Sequence, residues 1–340
     1  MILLWGLPGD GPLRAVYEVL RRRNCRPAFL NQHDLRHTSI KLTVADQASG
    51  VLSLKGENIR LEDIQAVYLR PYETLSLPCM RDLDKSHALR QHALNVEDLL
   101  LSWIELTPAL VINPLEAMAS NNSKPYQASL IQQFGFAVPD TLITTNPQAA
   151  LAFWQRHEKV IYKSISGTRS IVSCLTEKQR ARLELVRWCP TQFQQYIPGD
   201  DYRVHVVDQQ LFACHIYSPA ADYRYASQQG ASATIKACLL PELIQERCRL
   251  LARGLGLLVA GIDLRCTPEG EWYCFEVNPS PAFTYFEQET KQPISQAISS
   301  LLVEGRESEI YPFFSSLSYG ETCSHENLST CGDEGPRSRE

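Results

Sequence analysis

No segment of this chain is apolar for long. The opening run, Met1–Trp5, has strand length and falls far short of the roughly 20 residues a membrane span needs. No charged stretch followed by an apolar one marks a secretory signal. Positive charge is not in excess either: 33 Lys and Arg stand against 38 Asp and Glu, a net charge of −5, so there is no global basic field to hold nucleic acid or an acidic membrane. The 11 cysteines include no C-x-x-C pair, and the eight histidines offer neither H-E-x-x-H nor finger spacing. Reduced, partly buried thiols are therefore expected, not a disulfide scaffold or a zinc site. G-x-S-x-G and the P-loop pattern are missing as well. The expectation is a soluble, cytoplasmic protein with no nucleic-acid or membrane partner.

What is present is ordinary globular composition, 44% hydrophobic and 21% charged, over 340 residues, too long for one common core. Met1–Trp5, a glycine turn at Gly6–Gly11, and a helical pattern (Pro12, Leu13, Val16, Leu20) open an α/β unit. Phe29-Leu30, Ala66–Leu69 and Leu110–Ile112 read as further strands, with a long helix from about Ser86 to Glu105. Alternation at Ile40, Leu42, Val44 and at Leu52, Leu54 predicts a hairpin turning around Gly50. After the Asn121–Pro125 cap cluster come a helix, a second helix at Ala149–His157, and strands at Val160–Lys163, Phe193–Ile197, Tyr202–Val207 and Leu211–Tyr217. Helices at Pro241–Leu255 and Ile294–Val303 bracket strands at Leu258–Cys266 and Trp272–Asn278. Beyond about Phe314 the composition reads as a disordered tail.

The informative stretch is Gly261–Asn278. A four-residue turn, Thr267–Gly270, pairs Cys266 with Glu271 and Asp263 with Cys274. Asp263, Glu276 and Asn278 then share one sheet face, with Glu276 diagonal to Asp263. Two carboxylates and an amide oxygen in otherwise apolar strands suit Mg²⁺, with Mn²⁺ as a substitute. The competing reading is a solvated acidic face neutralised by a neighbour such as Arg265. A loop one residue longer would turn Glu276 to the opposite face.

These residues carry a resemblance. Gly261-Ile262-Asp263 followed by Glu276-Val277-Asn278-Pro279-Ser280-Pro281 is similar to the C-terminal metal motif of the ATP-grasp superfamily, closest to its glutathione synthetase and ribosomal-protein glutamate ligase branch. Upstream, in order, Asn122-Ser123-Lys124 with Val138–Thr141, Tyr162-Lys163 with Ser166-Gly167, and Phe193–Ile197 with Asp201-Tyr202-Arg203 resemble the same family's other motifs. The resemblance implies an α/β and α+β architecture: a Rossmann-like pre-ATP-grasp domain over 1–118, then a two-lobed ATP-grasp domain over 119–305 (lobes 119–190 and 191–305) with ATP between the lobes, and a tail over 306–340. It implies Lys124 and Lys163 on the phosphates, Ser166 and Gly167 in the phosphate loop, Gln195, Tyr196 and Ile197 at adenine, and Asp263, Glu276 and Asn278 on the metal. Asp201 and Arg203 divide between ribose and the transferring phosphoryl group, unless they form a plain same-face ion pair. Relatives have several glycines in the phosphate loop, where this chain has only Gly167.

The activity implied is ATP-dependent joining of a carboxylate to an amine through an acyl-phosphate. Arg224 is a candidate for the acyl-phosphate or a substrate carboxylate, or is a solvated loop residue. Arg70, at the C-terminal end of a strand, either contacts a substrate carboxylate or forms a domain-interface ion pair. The substrates are an amino acid or short peptide and an amine; a homo-oligomer is left open. Rival readings are a peptide-modifying ligase (glutamate addition or graspetide-type macrocyclisation), a kinase, and a non-catalytic ATP-binding regulator.

Overall fold

Leu3, Leu4 and Trp5 are buried, and a strand that is apolar on both faces needs a layer on each side. A computed structural model, which describes residues 1–120, 123–164, 172–217 and 234–305, shows both layers. β1 (Ile2–Gly6), α1 (Gly11–Arg22) and β2 (Ala28–Asn31) precede β3 (Thr38–Val44), β4 (Ala48–Leu54), β5 (Glu57–Arg60) and β6 (Ala66–Arg70). Then follow α2 (Pro78–Arg81), α3 (Ala88–Leu106), β7 (Leu110–Ile112) and α4 (Leu115–Ala119). β2, β1, β6 and β7 form a parallel sheet in that order. The chain switches sides between β1 and β6, where open α/β sheets form a crevice at the strand C-termini. The Asp10 carboxylate caps α1 by accepting from the Leu13 N–H at 2.8 Å, and Pro12 occupies its first turn.

The expected hairpin forms with a different turn. The chain reverses between Val44 and Ala48, and Gly50 lies inside β4 opposite Leu42. A Cβ at position 50 would sit 1.9 Å from the Lys41 carbonyl oxygen. This glycine permits a close strand approach rather than a turn.

The remaining elements are α5 (Lys124–Gln133), β8 (Thr141–Thr144), α6 (Pro147–Arg156), β9 (Val160–Ser164), β10 (Ser173–Cys174) and β11 (Thr191–Gln195), then β12 (Asp200–Val207), β13 (Gln210–Tyr217), β14 (Thr234–Ala237), α7 (Glu242–Gly254), β15 (Val259–Cys266), β16 (Trp272–Asn278), α8 (Thr284–Thr290) and α9 (Ile294–Glu304). An antiparallel sheet ordered β10-β9-β11-β8 buries Val160 and Phe193 with Phe153 of α6 and Leu183 of a 3₁₀ run, Glu177–Trp188. A five-stranded antiparallel sheet runs β14-β13-β12-β15-β16. Its apolar face (Val204, Val206, Ile262, Leu264, Val277) packs on Ile131 of α5 and on Cys248 and Leu251 of α7. α9 returns to α1, where Ile294 and Ile298 share a core with Leu4, Leu13, Val16 and Val259. β5, β8, β14 and α8 escape the sequence reading because each is short and buries few side chains. No helix among the described residues is long and apolar enough to cross a membrane.

Candidate active site

The hairpin of β15 and β16 departs from its expected register twice. Cys266 pairs with Trp272 rather than Glu271, so the connecting loop is one residue longer than the expected turn. That slip alone would turn Glu276 away from Asp263. A β-bulge between the Leu264–Cys274 and Asp263–Glu276 pairs inserts Phe275 and turns it back. Asp263 thus lies directly opposite Glu276, not diagonal to it, and Asn278 lies opposite Gly261. Packing accounts for the bulge: Cys274 and Val277, three residues apart, are both buried in the core beneath the sheet.

Each carboxylate meets a cation. Lys124, the first residue of α5, places Nζ 2.8 Å from Glu276 Oε1. Arg203 Nη1 donates to Asp263 Oδ1 at 2.7 Å. A lysine at a helix N-terminus is opposed by the helix dipole, and the Glu276 carboxylate offsets this. α5 is pinned to β16 by Gln127, one turn on from Lys124. Its Nε2 donates to the Val277 carbonyl at 2.8 Å and its Oε1 accepts from the Val277 N–H at 3.0 Å. The buried amide substitutes for a neighbouring strand along the outer edge of β16. Asn278 Oδ1 accepts from the Ser280 N–H at 2.9 Å. Two opposed carboxylates and an amide oxygen on one face are hard donors that fit Mg²⁺.

Asp201 and Arg203 each have a partner on the adjacent strand. Register sets Asp201 opposite Arg265 and Arg203 opposite Asp263, and Arg265 forks onto Asp201 at 2.7 and 2.9 Å. Arg265 is therefore not the partner of Asp263. Arg203 is buried; its Nε donates to His205 Nε2 at 3.4 Å, and the Phe286 ring lies 5.7 Å away. A Cβ built on Gly261 would fall 2.1 Å from Arg203 Nη2, so the guanidinium lies where a side chain would otherwise be. Gln127 was missed from sequence, and Gly261 was read only as part of the motif, without its role under Arg203. The glycine inside an apolar strand, two residues before the acid, was the available signal for that role.

Toward the other sheet, the Gln195 N–H donates to Asp140 O at 2.9 Å and the Tyr196 N–H to Lys159 O at 3.0 Å. Arg265 Nη1 takes the carbonyl of buried Ile197 at 2.7 Å. The Arg265 guanidinium also lies 5.3 Å from the Phe275 ring and 5.8 Å from that of Tyr196. The bulged Phe275, another residue missed, thus shares the Arg265 guanidinium with Tyr196. Lys163 is on β9 opposite Gln192, in the four-stranded sheet, whereas the acids are on strands of the five-stranded one. Ser166, Gly167, Arg224, Asn122 and the tail over 306–340 lie outside the described residues.

Arg70 forms its ion pair within the N-terminal region, with Asp10, and reaches the loop after β16 through a neutral hydrogen bond. It forks onto Asp10 at 2.7 and 3.2 Å and donates through Nη1 to Ser280 Oγ at 2.8 Å. The nine described cysteines are free. Burial pushes the Cys214 and Cys248 thiols up to about 12, so both act as packing groups.

Burial, and secondarily the Arg203 charge, hold the His205 imidazole well below its ordinary 6.5. The folded protein therefore keeps it neutral at a pH where the unfolded chain takes up a proton. Its contribution to stability is present above about pH 6.5 and is lost progressively as pH falls below that value. Urea melts from pH 7.5 to 5 should show a steeper loss for the wild type than for His205→Asn; parallel curves would refute the buried neutral assignment.

Opposed carboxylates, each beside a cation, agree with the ATP-grasp resemblance. Residues 119–302, more than half of the chain, match the model of the RimK-like ATP-grasp domain, and the chain belongs to that family, as an ATP-binding carboxylate–amine ligase. Among solved structures, the macrocyclase MdnC of Microcystis aeruginosa MRC, bound with precursor peptide MdnA, is similar at TM-score 0.76 and 23% identity, over 89% of this chain and 99% of that one. The ATP-grasp ligase PsnB, complexed with a phosphomimetic variant of its minimal precursor, Mg and ADP, is similar at TM-score 0.75 and 26% identity, over 89% and 97%. D-alanyl-alanine synthetase A of Vibrio cholerae O1 biovar eltor shares the fold at TM-score 0.57 and 14% identity, over 89% and 97%. A search of curated proteins finds no match.

Proposed function

We propose that the protein uses MgATP to phosphorylate a carboxylate of a peptide and passes the acyl group to an amine, releasing ADP and phosphate. The observation that carries this is the pairing of Asp263 with Glu276 across the bulged hairpin, each already matched to a cation. Asp263, Glu276 and Asn278 would hold the metal, which neutralises phosphate charge and orients the γ-phosphoryl group. Lys124 and Arg203 sit beside the two acids and meet the charge that develops on the transferring phosphoryl group. Lys163 serves the phosphates from the other sheet. Ser166 and Gly167 cover them, and Arg224 meets the substrate carboxylate or its acyl-phosphate. Adenine lies against Ile197, Tyr196 and Phe275, and the ribose beside Asp201. The carboxylate attacks phosphorus, and the amine then displaces phosphate from the activated carbonyl. No protein nucleophile is needed, only positioning and charge.

A peptide substrate is favoured by the likeness to PsnB, whose structure holds its minimal precursor. It is also favoured by the outer strand β14, which among the described strands pairs only with β13, and by the exposed Leu239 and Leu243 that follow it in the chain (88% and 61%). An extended chain can add to such an edge. Hydroxylamine trapping tests both halves of the proposal. With ATP and Mg²⁺, acidic peptides should give hydroxamate and ADP together, and Glu276→Ala should abolish both. ADP without hydroxamate would indicate a kinase, and hydroxamate from free amino acids alone would overturn the peptide assignment.

A further inference from the structure

The crevice at the switch point between β1 and β6 is where an α/β sheet of this kind receives a ligand. Here it receives part of the chain itself. Gly6 and Arg70 end the two strands side by side. Arg70, nearly buried, is braced by both Asp10 oxygens, and Asp10 is in turn fixed as the α1 cap. The guanidinium then reaches the loop that leaves β16, donating to Ser280 Oγ at 2.8 Å and to the Pro281 carbonyl at 3.3 Å.

A second residue of the same sheet holds the neighbouring peptide. Asn113, just after β7 and 2% exposed, donates to the Pro279 carbonyl at 2.5 Å and the Val259 carbonyl at 2.7 Å. Its Oδ1 accepts from the Leu258 and Val259 N–H groups at 2.8 and 3.0 Å. The loop 279–281 is thus hydrogen-bonded by two side chains of the N-terminal sheet, and its Ser280 N–H is the group that orients Asn278 Oδ1.

We infer that Arg70 is a positioning residue for the metal-binding amide. It acts through Ser280 on Asn278, so that the N-terminal domain, rather than the hairpin alone, sets the orientation of the third metal ligand. This rests on the nucleotide-site reading above. Residues that orient a metal ligand commonly change affinity on the order of tenfold when altered, without touching the ion. Ser280→Ala removes the shorter of the two hydrogen bonds from Arg70 to the loop and leaves Arg70 with Asp10 and the Pro281 carbonyl. Arg70→Lys keeps the buried charge but loses the fork.

The test is Mn²⁺ titration of the full-length protein at saturating ADP, with free Mn²⁺ read by electron paramagnetic resonance, alongside thermal melts and metal-free ADP binding. Both variants should bind Mn²⁺ on the order of tenfold more weakly than wild type, with metal-free ADP affinity unchanged. A lowered melting temperature with wild-type Mn²⁺ affinity would make Arg70 a purely structural clasp and overturn the inference. Should Arg70→Lys fail to fold, Ser280→Ala decides alone. Wild-type protein that binds ADP but takes up no Mn²⁺ would refute the metal site itself, a failure distinct from a wild type that binds Mn²⁺ as tightly as its variants do.

Discussion

Glu276→Gln and Asp263→Asn should each lower kcat for ADP formation by about 10³-fold, roughly 4 kcal/mol of transition-state stabilisation. They should differ in stability. Lys124, beside Glu276, is 28% exposed, so water screens it once the carboxylate is gone, and Glu276→Gln should cost under about 1 kcal/mol. Arg203 is 5% exposed, and removing the Asp263 charge beside it should cost about 3 kcal/mol. Steady-state kinetics with urea melts on both variants separate the two effects. Glu276→Gln retaining a tenth of wild-type kcat would sink the metal assignment.

Gly261→Ala carries the second large effect. The added methyl would lie 2.1 Å from Arg203 Nη2 and 2.7 Å from Pro281 Cβ. The guanidinium end is the mobile partner of the two, so it should swing off Asp263 rather than the strand deform. The expected result is a kcat lower by about 10²-fold, the scale of losing one charge-stabilising donor, with KM for ATP changed far less. Arg203→Lys should resemble it, because an ammonium cannot reproduce the guanidinium's several contacts. If Gly261→Ala turns over at the wild-type rate, the close packing of Arg203 over that strand has no catalytic meaning.

Alternation was enough to place Asp263, Glu276 and Asn278 together, and the arrangement survived for a reason that alternation does not contain. The loop is longer by one residue and the strand carries a bulge of one residue; the two shifts add to two, which restores the face of Glu276 while changing its partner. The run Trp272-Tyr273-Cys274-Phe275, apolar or aromatic throughout, does not show where the alternation breaks. Partner choice was less legible than placement. Arg265 is two residues from Asp263 on the same strand, yet cross-strand neighbours lie closer than same-face neighbours along a strand. The register with β12 therefore assigned it to Asp201. Arg70 was located correctly at a strand end, but what fills the crevice there comes from a loop 210 residues away. Local pattern holds no information about such a contact. Gly50 shows the same limit in miniature, since a glycine marks a turn or a close approach, and only the partner strand distinguishes them.

The grip of Asn113 on Leu258, Val259 and Pro279 has a consequence for how the chain is made. Its partners are 145 to 166 residues downstream, so during synthesis the amide waits through most of the ATP-grasp region before its acceptors and donors exist. Contacts of such separation form late, because the intervening loop must first be closed. The β15–β16 hairpin should thus be the last part to become rigid, after the N-terminal sheet has folded to receive it. A fragment starting at residue 119 would contain Asp263, Glu276 and Asn278 and lack Asn113 and Arg70, which hold the loop beside them, and supplying residues 1–118 in trans should restore order to the hairpin.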